Sequence, residues 1–264
     1  MRRGHRHIDR HGDIVVKLTN SLFITVALLA LPALASALPV TLGSPFSVFS
    51  GAVGGTDVAY SPAGTASQVR WGDPTGKFGT GDDFKSGLGF DVFTAPMETT
   101  TGTTFGLGTL SHFNWEVKNG TAASGVQLSF GFTITDPSIG PVNFNVPFAI
   151  DETANSAPCA RNPVPIDNFC PDIITFSGAT STQSFTIGGV DYTLFLLGFG
   201  PDPSNIQTDF ITQEGRVNTT GLWARIDVTM PPVDVPEPNA LLLVALGLLA
   251  LGGAVQLRRK QDEV

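Results

Sequence analysis

The feature that most constrains the fold of this 264-residue chain is a two-residue hydrophobic alternation. Val126, Leu128, Phe130, Phe132 and Ile134 fall on one side of an extended segment, and Gln127, Ser129, Gly131, Thr133 and Thr135 on the other. Val142, Phe144, Val146, Phe148 and Ile150 repeat the pattern, as do Leu222, Ala224, Ile226 and Val228. Successive strand residues point to opposite faces, so each segment can bury one face and wet the other. Phe185-Thr186-Ile187, Gly188-Gly189 and Val190-Asp191-Tyr192 predict a hairpin whose turn needs positive φ at both glycines. Further strands are expected at 46–53, 105–110, 113–117, 173–176 and 208–212. No body segment carries a 3.6-residue period, and 14% charge with 30 Gly and 19 Pro argues against helical bundles. The expectation is an all-β body, an antiparallel β-sandwich or jelly roll.

The two ends read differently from the body. Arg2, Arg3, Arg6, Arg10 and Lys17 precede an apolar run over 22–31 and then Ala35-Ser36-Ala37. A basic stretch, a short apolar core and a small-residue cut site predict a signal peptide over 1–37, which makes the Sec machinery and signal peptidase expected partners. His5, His7 and His11 lie in the segment to be removed. At the other end, 240–257 carries no charge, and Arg258-Arg259-Lys260 follow it. Eighteen helical residues span about 27 Å, enough for a thin bilayer. The basic cluster should stay cytoplasmic, leaving the body exported. The expected divisions are therefore a signal peptide over 1–37, a β-sandwich over 38–230 and a Pro-rich stalk over 231–235. A sorting signal over 236–264 completes the chain, with a transmembrane helix at 240–257 and a basic tail at 258–260.

This tail resembles the PEP-CTERM sorting signal of bacterial exported proteins: Pro236, Glu237 and Pro238, an apolar helix, then Arg258, Arg259 and Lys260. The resemblance implies handling by exosortase, an integral membrane cysteine transpeptidase. It also implies a transient inner-membrane anchor in a Gram-negative bacterium, followed by release to the cell surface or extracellular matrix.

Between residues 38 and 234 there are seven Lys/Arg against eighteen Asp/Glu, a net charge of −11. Such a body repels nucleic acid, and it is large enough to bury a full core. Cys159 and Cys170 are the only cysteines. In an exported body they predict one disulfide across a Pro-rich loop, worth on the order of 3 kcal/mol by chain entropy. A reactive cysteine is the competing assignment, but there is no Cys-x-x-Cys and His112 is the one histidine left in the body.

Four local signatures, in order, resemble the THxN family of PEP-CTERM proteins, related to the choice-of-anchor K domain. They are Arg70-Trp71-Gly72, Ser111-His112-Phe113-Asn114, Asp151-Glu152-Thr153-Ala154-Asn155 and the Cys159/Cys170 loop. Ser111 stands where the family name has Thr. The resemblance implies localisation more than activity, because the family has no established reaction.

Several residues are candidates for chemistry. His112, Asn114 and Glu116 share one strand face, with Phe113, Trp115 and Val117 expected to fill the core. Such a row is either a hydrogen-bonded ladder or a metal- or sugar-binding set. Ser111 beside His112 makes no hydrolase, because neighbours on a strand face opposite ways and no Gly-x-Ser-x-Gly elbow exists. Asp82-Asp83, and Asp151-Glu152 with Asn155, offer hard oxygens suited to Ca²⁺, without the spacing of a known calcium loop. Asp151 and Glu152 are the metal candidates, and no other cofactor is expected. Trp71, Trp115, Trp223, Tyr60 and Tyr192 are candidate sugar-stacking rings, Trp71 and Trp223 foremost. The expected function is that of a non-catalytic, exosortase-sorted surface or matrix protein associated with exopolysaccharide. Two alternatives are a polysaccharide hydrolase or lyase using Asp151, Glu152 and His112, and a calcium-stabilised carbohydrate-binding module.

Overall fold

The computed structural model describes residues 37–153, 155, 158, 159, 169–177, 182–187, 189–229, 247 and 248. The segments expected as signal peptide (but for residue 37), stalk and anchor helix (but for Gly247 and Leu248) lie outside them. Among the described residues no helix is long and apolar enough to cross a membrane.

The strands in chain order are Pro39–Gly54 (β1), Ala59–Tyr60 (β2), Ala66–Trp71 (β3), Ser86–Val92 (β4), Met97–Thr100 (β5), Thr104–Asn114 (β6) and Ala123–Asp136 (β7). They continue with Gly140–Asp151 (β8), Asp172–Phe176 (β9), Thr182–Ile187 (β10), Val190–Gly200 (β11), Asp209–Thr212 (β12) and Arg216–Thr229 (β13). One antiparallel sheet runs β12-β9-β8-β7-β1-β5 and the other β10-β11-β13-β6-β4-β3-β2. Both sheets curl, giving a sandwich-like all-β body. Register shifts between Gly43 and Phe46, and between Ser50 and Val53, bend β1 around β7. Inserted residues of this kind strengthen local twist.

The alternation in the sequence sets which face is buried. Val126, Leu128, Phe130, Phe132 and Ile134 of β7 are all buried, as are Val142, Phe144, Val146, Phe148 and Ile150 of β8. Phenylalanines supply much of the filling: Phe130, Phe132 and Phe144 form a ring cluster with centroids 5.5–6.3 Å apart. A second cluster joins Phe148, Phe176, Phe199 and Phe210. The β10–β11 hairpin closes with Ile187 opposite Val190, and Gly189 has φ 80°. Gly188 lies outside the described residues.

Boundaries differ from expectation in instructive places. The segments expected at 105–110 and 113–117 share one strand, β6, which ends at Asn114. Four strands, β2 to β5, lie outside the expected positions. In β4 the reason is visible at Gly87, where a Cβ would stand 2.2 Å from the Val69 carbonyl oxygen. Close approach of β3 demands glycine there and removes the hydrophobic signal.

Candidate functional site

The site begins at the end of β6, and its orientation corrects the sequence reading. His112 and Asn114 point inward and are fully buried, in line with Leu110, while Phe113 and Trp115 are only half-buried. Of the three residues expected to fill the core, only Val117 is buried. The outward Phe113 ring carries the Arg70 guanidinium at 3.8 Å, and Arg70 also donates to the carbonyls of Lys85 (2.8 Å) and Asp83 (3.2 Å). Those partners explain the inversion: Phe113 is covered by Arg70 from β3, while the polar pair finds its partners inside.

The inner partner is Thr212, the last residue of β12 and the register mate of Asp172 in β9. Its hydroxyl donates to the Asp172 carbonyl (3.2 Å), so it accepts from His112 Nδ1 at 2.8 Å and from Asn114 Nδ2 at 3.3 Å. With the Thr212 hydroxyl donating to Asp172, His112 donates from Nδ1, and Nε2 is buried without a hydrogen-bond partner among the described residues. Burial holds the imidazole pKa down to about 3, so the ring is neutral.

Immediately beyond these residues, three carboxyl groups converge. Glu152 follows β8, Asp172 opens β9, and Glu214 sits in the turn between β12 and β13. One oxygen from each lies within 4.8 Å of the other two. Asp172 is 0% and Glu214 4% exposed. The Glu214 turn is fixed by Asn218, whose side chain accepts from Gln213 N–H and donates to Gln213 O, both at 2.9 Å. Gly215, with φ 75°, donates to the Asn114 carbonyl at 2.7 Å, and a Cβ there would meet the Phe78 ring at 2.4 Å. Asp172 Oδ1 accepts from Thr153 N–H at 2.7 Å. Cys170, disulfide-bonded to Cys159 with Cα atoms 5.2 Å apart, lies two residues before Asp172.

Electrostatics inside this cluster are unfavourable as it stands. Burial, then the charges of Asp172 and Glu214, push Glu152 up to about 9. Burial raises Asp172 to about 7, against the hydrogen bonds of Thr153 and Asn114 and with the further push of Asp151. Burial raises Glu214 to about 8, together with Asp172 and Glu116 and against the attraction of Lys77. Lys77 pairs with Glu116 at 3.2 Å and lies 4.1 Å from the Phe169 ring centroid. Glu152 Oε2, Asp172 Oδ2, both Glu214 oxygens, Asn114 Oδ1 and Asn155 Oδ1 are buried without a hydrogen-bond partner. Such an all-oxygen set suits a hard cation.

A pocket of about 550 Å³ opens beside the cluster, with Thr75, Glu116, Lys118, Asn119, Glu152 and Asn155 among its lining. Of the trio Asp151, Glu152 and His112, only Glu152 reaches it; His112 is sealed in the interior. Of the two metal candidates, Glu152 is in the cluster, and its partners are Asp172 and Glu214 rather than Asp151. Neither partner stands out in sequence, because each is a single acid in an otherwise apolar or Thr-rich segment. Asp82 and Asp83 instead open a 3₁₀ turn, with Asp82 paired to Lys85 at 3.0 Å.

The remaining motif residues serve the frame. Trp71, foremost among the candidate sugar-stacking rings, is fully buried, because β3 turns it into the core beside Val69. Gly72 has φ 92°, and a Cβ there would stand 2.6 Å from Val117 Cγ1. Ser111 pairs across to Gly89 and Thr219 within its sheet. Trp223 is half-buried, and its indole donates to the Gly200 carbonyl at 2.8 Å. Tyr192 is buried, while Tyr60 is exposed and its hydroxyl accepts from Ala52 N–H at 2.9 Å.

No curated protein matches the chain. Residues 234–260, which contain Pro236, Glu237, Pro238, Arg258, Arg259 and Lys260, match the family described as PEP-CTERM protein-sorting motif, so the chain carries the signal of an exported, cell-surface-directed substrate of exosortase.

Proposed function

We propose that the β body is a non-catalytic surface or matrix module that holds extracellular polysaccharide in the pocket beside Glu152. The observation that carries this reading is the lining of that pocket. Thr75, Lys118, Asn119, Thr153 and Asn155 offer donors and acceptors around an acidic wall of Glu116 and Glu152. Hydroxyl-rich, uncharged or amino-bearing sugars pair with such a wall, whereas a polyanionic glycan meets repulsion from it. The sorting motif supports the reading by directing the body outward, and the resemblance of its Arg70–Gly72, Ser111–Asn114 and Asp151–Asn155 segments to the THxN family agrees with it. A hydrolase or lyase would need a second acid or base beside Glu152; Glu116 shares the lining but is paired with Lys77 at 3.2 Å. His112, sealed inside and hydrogen-bonded to Thr212, does not offer itself.

The test is retention of the purified protein on its own cell-surface polysaccharide and on a glycan array. Neutral or amino sugars should retain it, and Asn119→Trp, which places an indole at the pocket mouth, should weaken retention at least tenfold. Retention unaffected by Asn119→Trp, or no retention on any glycan, removes the reading. Shortening of the glycan chains during incubation would establish the enzyme instead.

A further inference from the structure

We propose that Glu152, Asp172 and Glu214 bind one Ca²⁺ at the inner wall of the pocket, with the Asn114 side-chain oxygen as a neutral fourth donor. Calcium takes oxygen ligands at about 2.3–2.6 Å, so oxygens sharing one ion lie no more than roughly 5 Å apart. The three carboxylates meet that limit, with one oxygen from each within 4.8 Å of the others. They come from the ends of β8 and β9 and from the β12–β13 turn, so no contiguous calcium loop is involved.

Asn114 gives the independent evidence. It is fully buried, and its amide reaches both the Asp172 carboxylate and the Thr212 backbone carbonyl, the latter at 3.3 Å. With the amide nitrogen so occupied, Oδ1 is left inside the protein without a donor. A buried acceptor without a partner costs free energy that a bound cation returns. The same holds for Glu152 Oε2, Asp172 Oδ2 and both Glu214 oxygens.

The field at the site points the same way. Lys77, the cation acting on Glu214, is engaged with Glu116. Among the described residues Lys77 is the one cation named against Glu214, and four carboxyl groups around it leave a deficit that a divalent ion fills. The donors are all oxygen, which favours calcium over zinc. Magnesium holds most of its water and prefers fewer protein carboxylates. Glu152 lines the open pocket, so an ion has a route in.

The full chain in detergent, stripped with EDTA and dialysed, should take up one Ca²⁺ per molecule in a calorimetric titration and bind Mg²⁺ at least tenfold more weakly. At calcium about a hundredfold above Kd, the melting temperature should rise by roughly 5–10 °C and return with EDTA. Glu214→Gln should lose at least tenfold in calcium affinity while melting no lower than wild type in EDTA, because one repelling carboxylate is gone. The exposed Glu98→Gln should titrate like wild type. No heat and no melting shift in the wild type overturns the site, as does a calcium response that Glu214→Gln retains in full. The wild-type titration decides the matter even if a variant fails to fold. No glycan enters these measurements, so they stand apart from the polysaccharide reading.

Discussion

Thr212 shows how one side chain can organise a polar interior. Its hydroxyl gives its proton to the Asp172 carbonyl and takes hydrogen bonds from His112 and Asn114, using its full capacity. Thr212→Val keeps the shape and removes all three bonds, leaving two buried donors without this acceptor. The expected loss is about 1–3 kcal/mol, because His112 Nδ1 loses its acceptor while Asn114 keeps the Thr212 carbonyl. Chemical denaturation should show it as a lower midpoint with an unchanged slope. A serine at 212 should recover most of the loss, since it restores the hydroxyl. None of this was legible from the sequence at Thr212 itself. The His112 and Asn114 spacing did place them on one face, but not on which side of the sheet. That was decided by partners a hundred residues away.

At the scale of elements, the legible strands were those with one clean apolar face. The β7 and β8 segments and the β10–β11 hairpin follow directly from alternation and a Gly-Gly turn. The strand β4 did not announce itself, because Gly87 and Gly89 stand where close packing excludes side chains, and β3 puts the polar Ser67 on its buried face. The acidic cluster was half legible: Glu152 was singled out, whereas Asp172 and Glu214 reach it only through the pairing of β9 with β12. The Cys159–Cys170 bridge lies just upstream of β9 and restrains the chain that delivers Asp172. Cys159→Ser paired with Cys170→Ser should cost about 3 kcal/mol by loop entropy. It should also weaken calcium binding, because Asp172 must then be ordered on binding. Equal calcium affinity with and without the bridge, measured by the same titration, would show that β9 is held by its sheet alone.

For the whole molecule, the balance between buried acids and one buried base shapes stability against pH. His112 is neutral in the fold with its pKa near 3, against about 6.5 unfolded, so its contribution is present above pH 6.5 and lost as pH falls toward 3. The three carboxyls act in the opposite sense. Raised to about 7, 8 and 9 from unfolded values near 4, they favour the fold at low pH and lose that contribution as pH rises through 7 to 9. In EDTA the melting temperature should therefore climb on leaving strong acid and decline again toward pH 9. With saturating calcium the alkaline decline should disappear, since the ion replaces the protons. Melting curves at intervals of one pH unit, with and without calcium, read both limbs. A flat alkaline limb in EDTA would mean that the cluster carries no titrating burden.

The strand that leads to the sorting motif is β13, and it is not at an edge: β11 pairs with one side and β6 with the other. Residue 229 ends it and the motif begins at residue 234, a gap the backbone spans with at most about 18 Å. While the tail is held, drag on the body travels into a strand gripped along both flanks. A pull along its length must shear two ladders together rather than unzip one rung at a time. The molecule is thus tethered through a strand held along both flanks, so tension on the tail loads its sheet in shear.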